Sequence, residues 1–175
     1  MIMDTRKMVR LSLLVSLATV LSILENQLPI PRPLWLKLGL ANIITLLALV
    51  MYGTREAVIV ACMRSLLAGI FGVLPMLMFS FPAALTSSLS MGLLHRAFGQ
   101  RLSIVGLSVS GAVVHNLTQL AIAYFVLSLN SSSILALAPL LILAAVMAGV
   151  LTGLVARYLI KNLIGGDNSF RDSGV

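Results

Sequence analysis

Apolar residues run in six long blocks along the chain, and the short segments between them hold most of the charges and prolines. A helix that crosses a bilayer needs about 20 apolar residues at a rise of about 1.5 Å each. The pattern therefore predicts an all-α integral membrane protein, a bundle of six transmembrane helices. The predicted spans are residues 8–25, 37–52, 56–73, 76–95, 103–128 and 134–161.

The ends of these blocks set the domain organisation. The first block follows basic residues as a signal peptide would, but it lacks a small-residue cleavage site, so we interpret it as a retained span. Only residues 72–75 join the third and fourth blocks, which predicts a tight hairpin or a partly re-entrant pair. Residues 1–164 are predicted to form one membrane domain, and residues 165–175 a flexible cytoplasmic tail.

The composition agrees with a membrane protein and argues against a soluble domain, nucleic-acid binding and a disulfide framework. The 175 residues are 59% hydrophobic, and the mean hydropathy is +1.08, too apolar for a soluble domain. The net charge of +7 comes from basic residues scattered at block ends, a pattern typical of membrane topology rather than nucleic-acid binding. The single cysteine, Cys62, excludes a disulfide framework within the chain.

Lysines and arginines fall mainly on one side of the predicted membrane. Placing the N terminus inside leaves Arg32 and Lys37 outside and Arg64 within the bilayer. Cytoplasmic loops carry the excess of basic residues. Both termini are therefore predicted to be cytoplasmic in a multi-pass protein of the cell membrane. The residues inside would be Arg6, Lys7, Arg10, Arg55, Arg96, Arg101, Arg157, Lys161 and Arg171.

Arg64 is isolated in the apolar run 58–71. An ionised side chain at bilayer depth costs about 3 kcal/mol on insertion scales, so it normally faces a bundle interior, a partner or a ligand. Glu25 could neutralise it, but helix rise leaves roughly 12 Å between the two along the membrane normal. This predicts a ligand-binding membrane protein; the alternative is a structural Arg64 that caps backbone carbonyls.

Further polar residues share the middle and outer half of the predicted bilayer. Three of them lie on one face of the fifth helix, at positions i, i+1 and i+4, above the small residues 108, 111 and 112. A face that is small below and polar above suits a cavity, although such residues also serve as hydrogen-bond links between helices. The predicted substrate-binding residues are Glu25, Trp35, Lys37, Asn42, Arg64, His115, Asn116 and Gln119.

The outer connection, residues 26–36, contains three prolines and Trp35, and Lys37 follows it directly. It is interpreted as either a lid or a plain linker with an anchoring tryptophan. Small residues also recur every four positions on several spans, which lets helices approach closely. Such stripes pack the bundle internally or receive another subunit, and spacing does not decide between these. The candidate partner-interface residues are Ser12, Ser16, Ala145, Gly149 and Gly153.

The sequence lacks the residue patterns that several kinds of enzyme and cofactor site require. There is no intramembrane carboxylate pair to hold magnesium around a diphosphate, no nucleotide-binding Gly-x-x-x-x-Gly-Lys-Ser/Thr loop, and no Cys/His cluster for zinc or haem. We therefore predict a protein that is not an enzyme and holds no metal or cofactor. An energy source for transport would have to come from partners.

The chain resembles a known family, the membrane proteins labelled heptaprenyl diphosphate synthase component I, also called the Gx transporter family. These look like substrate-binding (S) components of energy-coupling-factor (ECF) transporters. The resemblance covers residues 8–160. It rests on the segment 37–43, the turn 53–57, Arg64, and the Gly111-Ala-x-x-His115-Asn116-x-x-Gln119 motif.

That resemblance implies a small bundle that captures a vitamin-like or isoprenoid- or quinone-related compound near the outer surface. A membrane scaffold (T) subunit and two cytosolic ATPases would then deliver it, with Ser12 and Ser16 contacting the scaffold. The alternative is a non-catalytic membrane accessory subunit of a prenyl-lipid synthase or redox complex, whose polar residues are structural.

Overall fold

The computed structural model describes residues 5–27, 39–72, 74–126, 128 and 131–164, and within them every regular element is helical. The prediction of an all-α chain with six helices is confirmed. Residues 28–38 and 165–175 lie outside the described residues. The helices are α1 (Thr5–Gln27), α2 (Leu40–Tyr52), α3 (Thr54–Phe71), α4 (Pro75–Phe98), α5 (Ile104–Val126) and α6 (Ser131–Ile164), with a short 3-10 turn at Gly99–Arg101.

Four of these helices contain segments long and apolar enough to cross a membrane: Thr5–Glu25, Pro75–Phe98, Ile104–Val126 and Ala138–Asn162. The chain is therefore a multi-pass membrane protein. Helix α2 is apolar but has only 13 residues, and α3 carries Arg55, Glu56 and Arg64. Full crossing by α2 and α3, and the side on which the termini lie, stay predictions.

Helix α2 forms the centre of the bundle. Residues 41–49 are all buried, and α1, α3, α4, α5 and α6 each pack against this helix. A surface helix buries one stripe, whereas a helix buried all round is a core element. The shortest of the six helices is thus the one that the others surround.

A single residue joins α2 to α3. Gly53 has φ of 98°, a conformation that residues with a Cβ rarely adopt, and its N–H donates to the Leu49 carbonyl at 3.0 Å. The chain therefore reverses within one residue, and α2 and α3 pack as neighbours. This tight turn holds Asn42 and Arg64 on adjacent helices.

The small-residue stripe of α6 packs inside the bundle. Ala145 is fully buried, a Cβ on Gly149 would lie 2.7 Å from Val109 Cα, and one on Gly153 would lie 2.8 Å from Val105 Cα. The glycine contacts are with α5, so Gly149 and Gly153 pack within the bundle, and a role of Ala145, Gly149 and Gly153 in an interface with another subunit stays a prediction. The spacing permits either use, and here the backbone of α5 occupies the stripe.

The corresponding stripe of α1 faces outward. Ser12 and Ser16 are exposed and border a groove of about 350 Å³ between α1 and α3. The other residues that line the groove are Met8, Leu11, Val15, Ile59, Met63 and Leu67. The bundle leaves this surface uncovered, and its predicted role as a partner interface stays a prediction.

Candidate ligand-binding site

Arg64 lies inside the bundle, where only 5% of its surface is exposed. Its Nη1 donates to Ser22 Oγ at 3.2 Å, and its Nη2 donates to Asn42 Oδ1 at 3.0 Å. The guanidinium of α3 therefore links α1 to the first turn of α2. These partners are neutral side chains, so they share its hydrogen bonds without cancelling its charge.

Glu25, at the end of α1, holds the start of α2. Its Oε1 accepts the N–H of Gly39 at 2.8 Å, and its Oε2 accepts the N–H of Leu40 at 3.1 Å. The first N–H groups of a helix lack intrahelical partners, and the helix dipole favours an anion there. Gly39 has φ of 82°, which a residue with a Cβ would adopt only with strain. Glu25 thus acts as a buried cap, 1% exposed, supplied by a different helix.

Glu25 also stabilises the charge of Arg64 electrostatically. The separation of roughly 12 Å expected from sequence assumed that both helices start at the same depth. The pair of Lys7 of α1 with Glu56 of α3 at 2.5 Å agrees with that assumption, and from that level Ser22 lies about 10 Å farther along the axis than Arg64. The extended Arg64 side chain spans this difference and reaches the turn below Glu25.

The polar face of α5 also points into the bundle. His115, Asn116 and Gln119 are 4%, 6% and 1% exposed. The small residues below them do not line a cavity, because a Cβ on Gly111 would lie 2.5 Å from Met91 Sδ of α4. The expectation that this whole face of α5 lines a cavity is therefore corrected. The small residues form a packing contact with α4, and only the three polar residues above them present polar groups to the interior.

Some buried polar atoms have no hydrogen-bond partner among the described residues. They include Arg64 Nε, Ser65 Oγ, and both Nε2 and Oε1 of Gln119. Buried polar groups are nearly always paired, and an unpaired amide or hydroxyl costs about 1–3 kcal/mol. These atoms are thus able to bind a polar ligand, and they occur on the two helices that sequence analysis singled out.

The predicted site residues thus fall into distinct groups. Glu25, Asn42 and Arg64 meet at the junction of α1, α2 and α3, and the three α5 residues are buried on their own helix. Trp35 and Lys37 lie outside the described residues. Sequence reasoning missed Ser22, although it lies three residues before Glu25 on the same helical face, and Ser65, which follows Arg64 directly.

Comparison with known proteins gives a family match. The family model described as heptaprenyl diphosphate synthase component I matches residues 14–159, most of the chain. A search of curated proteins found no match, and a search of solved structures found none.

Proposed function

The chain belongs to the heptaprenyl diphosphate synthase component I family, and we propose that it works as the substrate-capture (S) subunit of an ECF-type importer. It would bind a small vitamin-like or isoprenoid- or quinone-related compound within the outer half of the bundle. The observation that carries this proposal is the buried Arg64, whose charge faces two neutral hydrogen-bond partners and whose Nε is unpaired among the described residues.

A purely structural Arg64 would be costly. The guanidinium has five N–H donors, and a buried charge is stable only when it is paired and hydrogen-bonded. Ser22 and Asn42 satisfy two of the five donors, and the carboxylate of Glu25, the anion that acts on Arg64, accepts backbone N–H groups at the N-terminus of α2. An anionic or carbonyl group on a ligand would complete this set.

The arrangement of carboxylates favours capture without catalysis. Magnesium around a diphosphate would require several carboxylate oxygens at one place. Glu25 uses both of its oxygens on backbone N–H groups, and Glu56 binds Lys7 near the other end of α3. Within the described part of the chain, no three His, Cys, Asp or Glu side chains gather into a metal-binding group.

The outward face of α1 is the proposed contact with a scaffold subunit. Ser12 and Ser16 are small, exposed and beside the groove against α3, so a partner helix could approach closely there. Two cytosolic ATPases would act through that scaffold. Trp35 and Lys37 remain proposed ligand contacts from the outer connection.

A second candidate function rests on the family description. It names a component of a synthase, which favours a non-catalytic accessory subunit bound to a prenyl-lipid enzyme. In that case Arg64 and the α5 residues would serve only to hold the helices together, and the protein would release no bound compound on denaturation.

Mass spectrometry of small molecules released by denaturing the gently purified protein tests the two functions. Wild type should release a stoichiometric compound other than lipid, Arg64→Ala should retain less than a tenth of it, and Arg55→Ala, an exposed arginine on the same helix, should retain it fully. Arg64→Lys keeps the charge but not the planar donor set, and should fold with reduced occupancy. Full retention by Arg64→Ala, or only lipid in wild type, would overturn the capture function.

A further inference from the structure

Gln119 is the least exposed member of the polar face of α5. Only 1% of its surface is accessible, and neither Nε2 nor Oε1 has a partner among the described residues. The small residues lower on the same face of α5 pack directly against α4 and α6, so they offer no hydrogen bonds to the Gln119 amide. A fully buried primary amide thus presents both a donor and an acceptor to the interior.

Such an amide is unfavourable as a structural element. A hydrogen-bond link between membrane helices satisfies its polar atoms, as Ser108 and Thr152 do at 2.9 Å between α5 and α6. Gln119 makes no link of this kind among the described residues. Burying it without partners lowers the stability of the bundle, whereas pairing both atoms removes that cost.

The two polar atoms of Gln119 define the group that would pair with them. Arg64 offers only donors, so carboxylates, phosphates and ketones all suit it. Gln119 offers a donor and an acceptor on one edge, and a ligand with acceptors alone would leave Oε1 unpaired. An edge with an N–H beside an acceptor atom, as in a lactam, an imide, a primary carboxamide or an aminopyrimidine, pairs with both atoms at once, as glutamine does with the donor and acceptor of adenine.

We propose that Gln119 selects the substrate of this protein by pairing with an edge on it that carries an N–H beside an acceptor atom. The inference rests on the proposed capture function and narrows its substrate class. A site built to form such hydrogen bonds rejects an analogue that lacks them, because its own buried polar atoms stay unpaired. Substrates that carry only carbonyl or carboxylate oxygens, simple quinones included, would be excluded.

The test replaces Gln119 by methionine, which has similar length and no strong hydrogen-bonding group. Wild type, Gln119→Met and the outward-facing control Leu117→Met are purified alike, and the compound released on denaturation is identified by fragmentation and by counting exchangeable hydrogens. We expect a nitrogen compound with an N–H beside an acceptor atom, retained less than a tenth as well by Gln119→Met and fully by Leu117→Met. Loss of two hydrogen bonds corresponds to at least a tenfold change.

Thermal unfolding of the ligand-stripped proteins separates recognition from packing. Gln119→Met removes two unpaired polar atoms, so its Tm should equal or exceed that of wild type, whereas a structural link would lower it. A released compound without an N–H beside an acceptor atom, full retention by Gln119→Met, or a lowered Tm would overturn the inference. A compound that depends on Arg64 but not on Gln119 would overturn it while leaving the capture function intact, and only lipid in wild type would overturn both.

Discussion

The seam between α5 and α6 and the seam between α1 and α3 are built in different ways. Small residues let α5 and α6 approach so closely that a Cβ on Gly149 or Gly153 would lie 2.7 or 2.8 Å from the facing backbone. Helices α1 and α3 are joined through side chains, by Lys7 with Glu56 near one end and by Ser22 with Arg64 near the other, and an apolar groove of about 350 Å³ lies between them. Steric fit therefore determines how α5 and α6 pack. The packing of α1 against α3 depends on a few polar contacts, and the groove between them faces outward.

This contrast assigns the two seams different roles. Lipid offers little hydrophobic drive for association between helices, so close backbone approach is what makes α5 and α6 a stable unit. The α1–α3 seam gains less from packing and leaves Ser12 and Ser16 exposed. Arg64, the proposed ligand contact, lies in the seam that is less tightly packed, so a change at the proposed site would alter the surface proposed for the scaffold subunit.

The largest effect should come from adding bulk to the tight seam. In Gly149→Val, the new Cβ would lie 2.7 Å from Val109 Cα, a backbone atom that moves only if the helices separate. We expect a loss of about 3 kcal/mol in stability, measured as a lowered unfolding temperature in detergent. Ser16→Val places the same side chain on the exposed face of α1 and should change stability by less than about 0.5 kcal/mol. Equal losses in the two variants would contradict the contrast.

Glu25→Gln should have the next largest effect. Glutamine offers one acceptor oxygen where glutamate offers two, so one of the Gly39 and Leu40 N–H groups loses its partner and Arg64 loses a nearby negative charge. The expected cost is about 2 kcal/mol, the range of a hydrogen bond to a charged group. Unfolding of the ligand-free protein measures it, with Gln27→Ala, an exposed residue on the same helix, as control. A variant as stable as wild type would show that α2 does not need this cap.

The sequence predicted where the helices lie along the chain better than it predicted what packs against each helix face. The length of apolar blocks determined the number of helices, but α2 begins at Leu40 rather than 37, after Gly39 in the left-handed conformation. The four-residue spacing of small residues is the same on α1 and α6, so only the packing distinguishes the exposed Ser16 from the buried Gly149. Spacing records which residues share a face, not what covers that face.

The same limit applies to the candidate site. Arg64 and the α5 group were found because polar residues are conspicuous in apolar helices. The contact from Arg64 to Ser22 depends on the direction in which the long arginine side chain extends along α1, which no local pattern encodes. Glu25 was predicted to bind substrate, and the structure gives it the further task of capping α2.

A smaller effect is expected from the hydroxyl pair in the tight seam. Ser108 and Thr152 lie 2.9 Å apart across α5 and α6, beside Gly153. Thr152→Val keeps the shape and removes the hydrogen bond, and the coupling in a double-mutant cycle with Ser108→Ala should be about 0.6 kcal/mol. Steric fit, not this bond, then holds the seam. A coupling as large as the cost of Gly149→Val would reverse that conclusion.

The smallest effect should come from the ion pair at the end of the α1–α3 seam. The Lys7 side chain is 34% exposed and that of Glu56 13%, so solvent screens their attraction. A double-mutant cycle of Lys7→Met and Glu56→Gln should give a coupling of about 0.5 kcal/mol, and raising the ionic strength should reduce it further. Such weak coupling would leave this end of the seam easy to separate. A coupling above about 2 kcal/mol that persists in high salt would instead make the pair a firm tie, and the two seams would then differ in chemistry but not in strength.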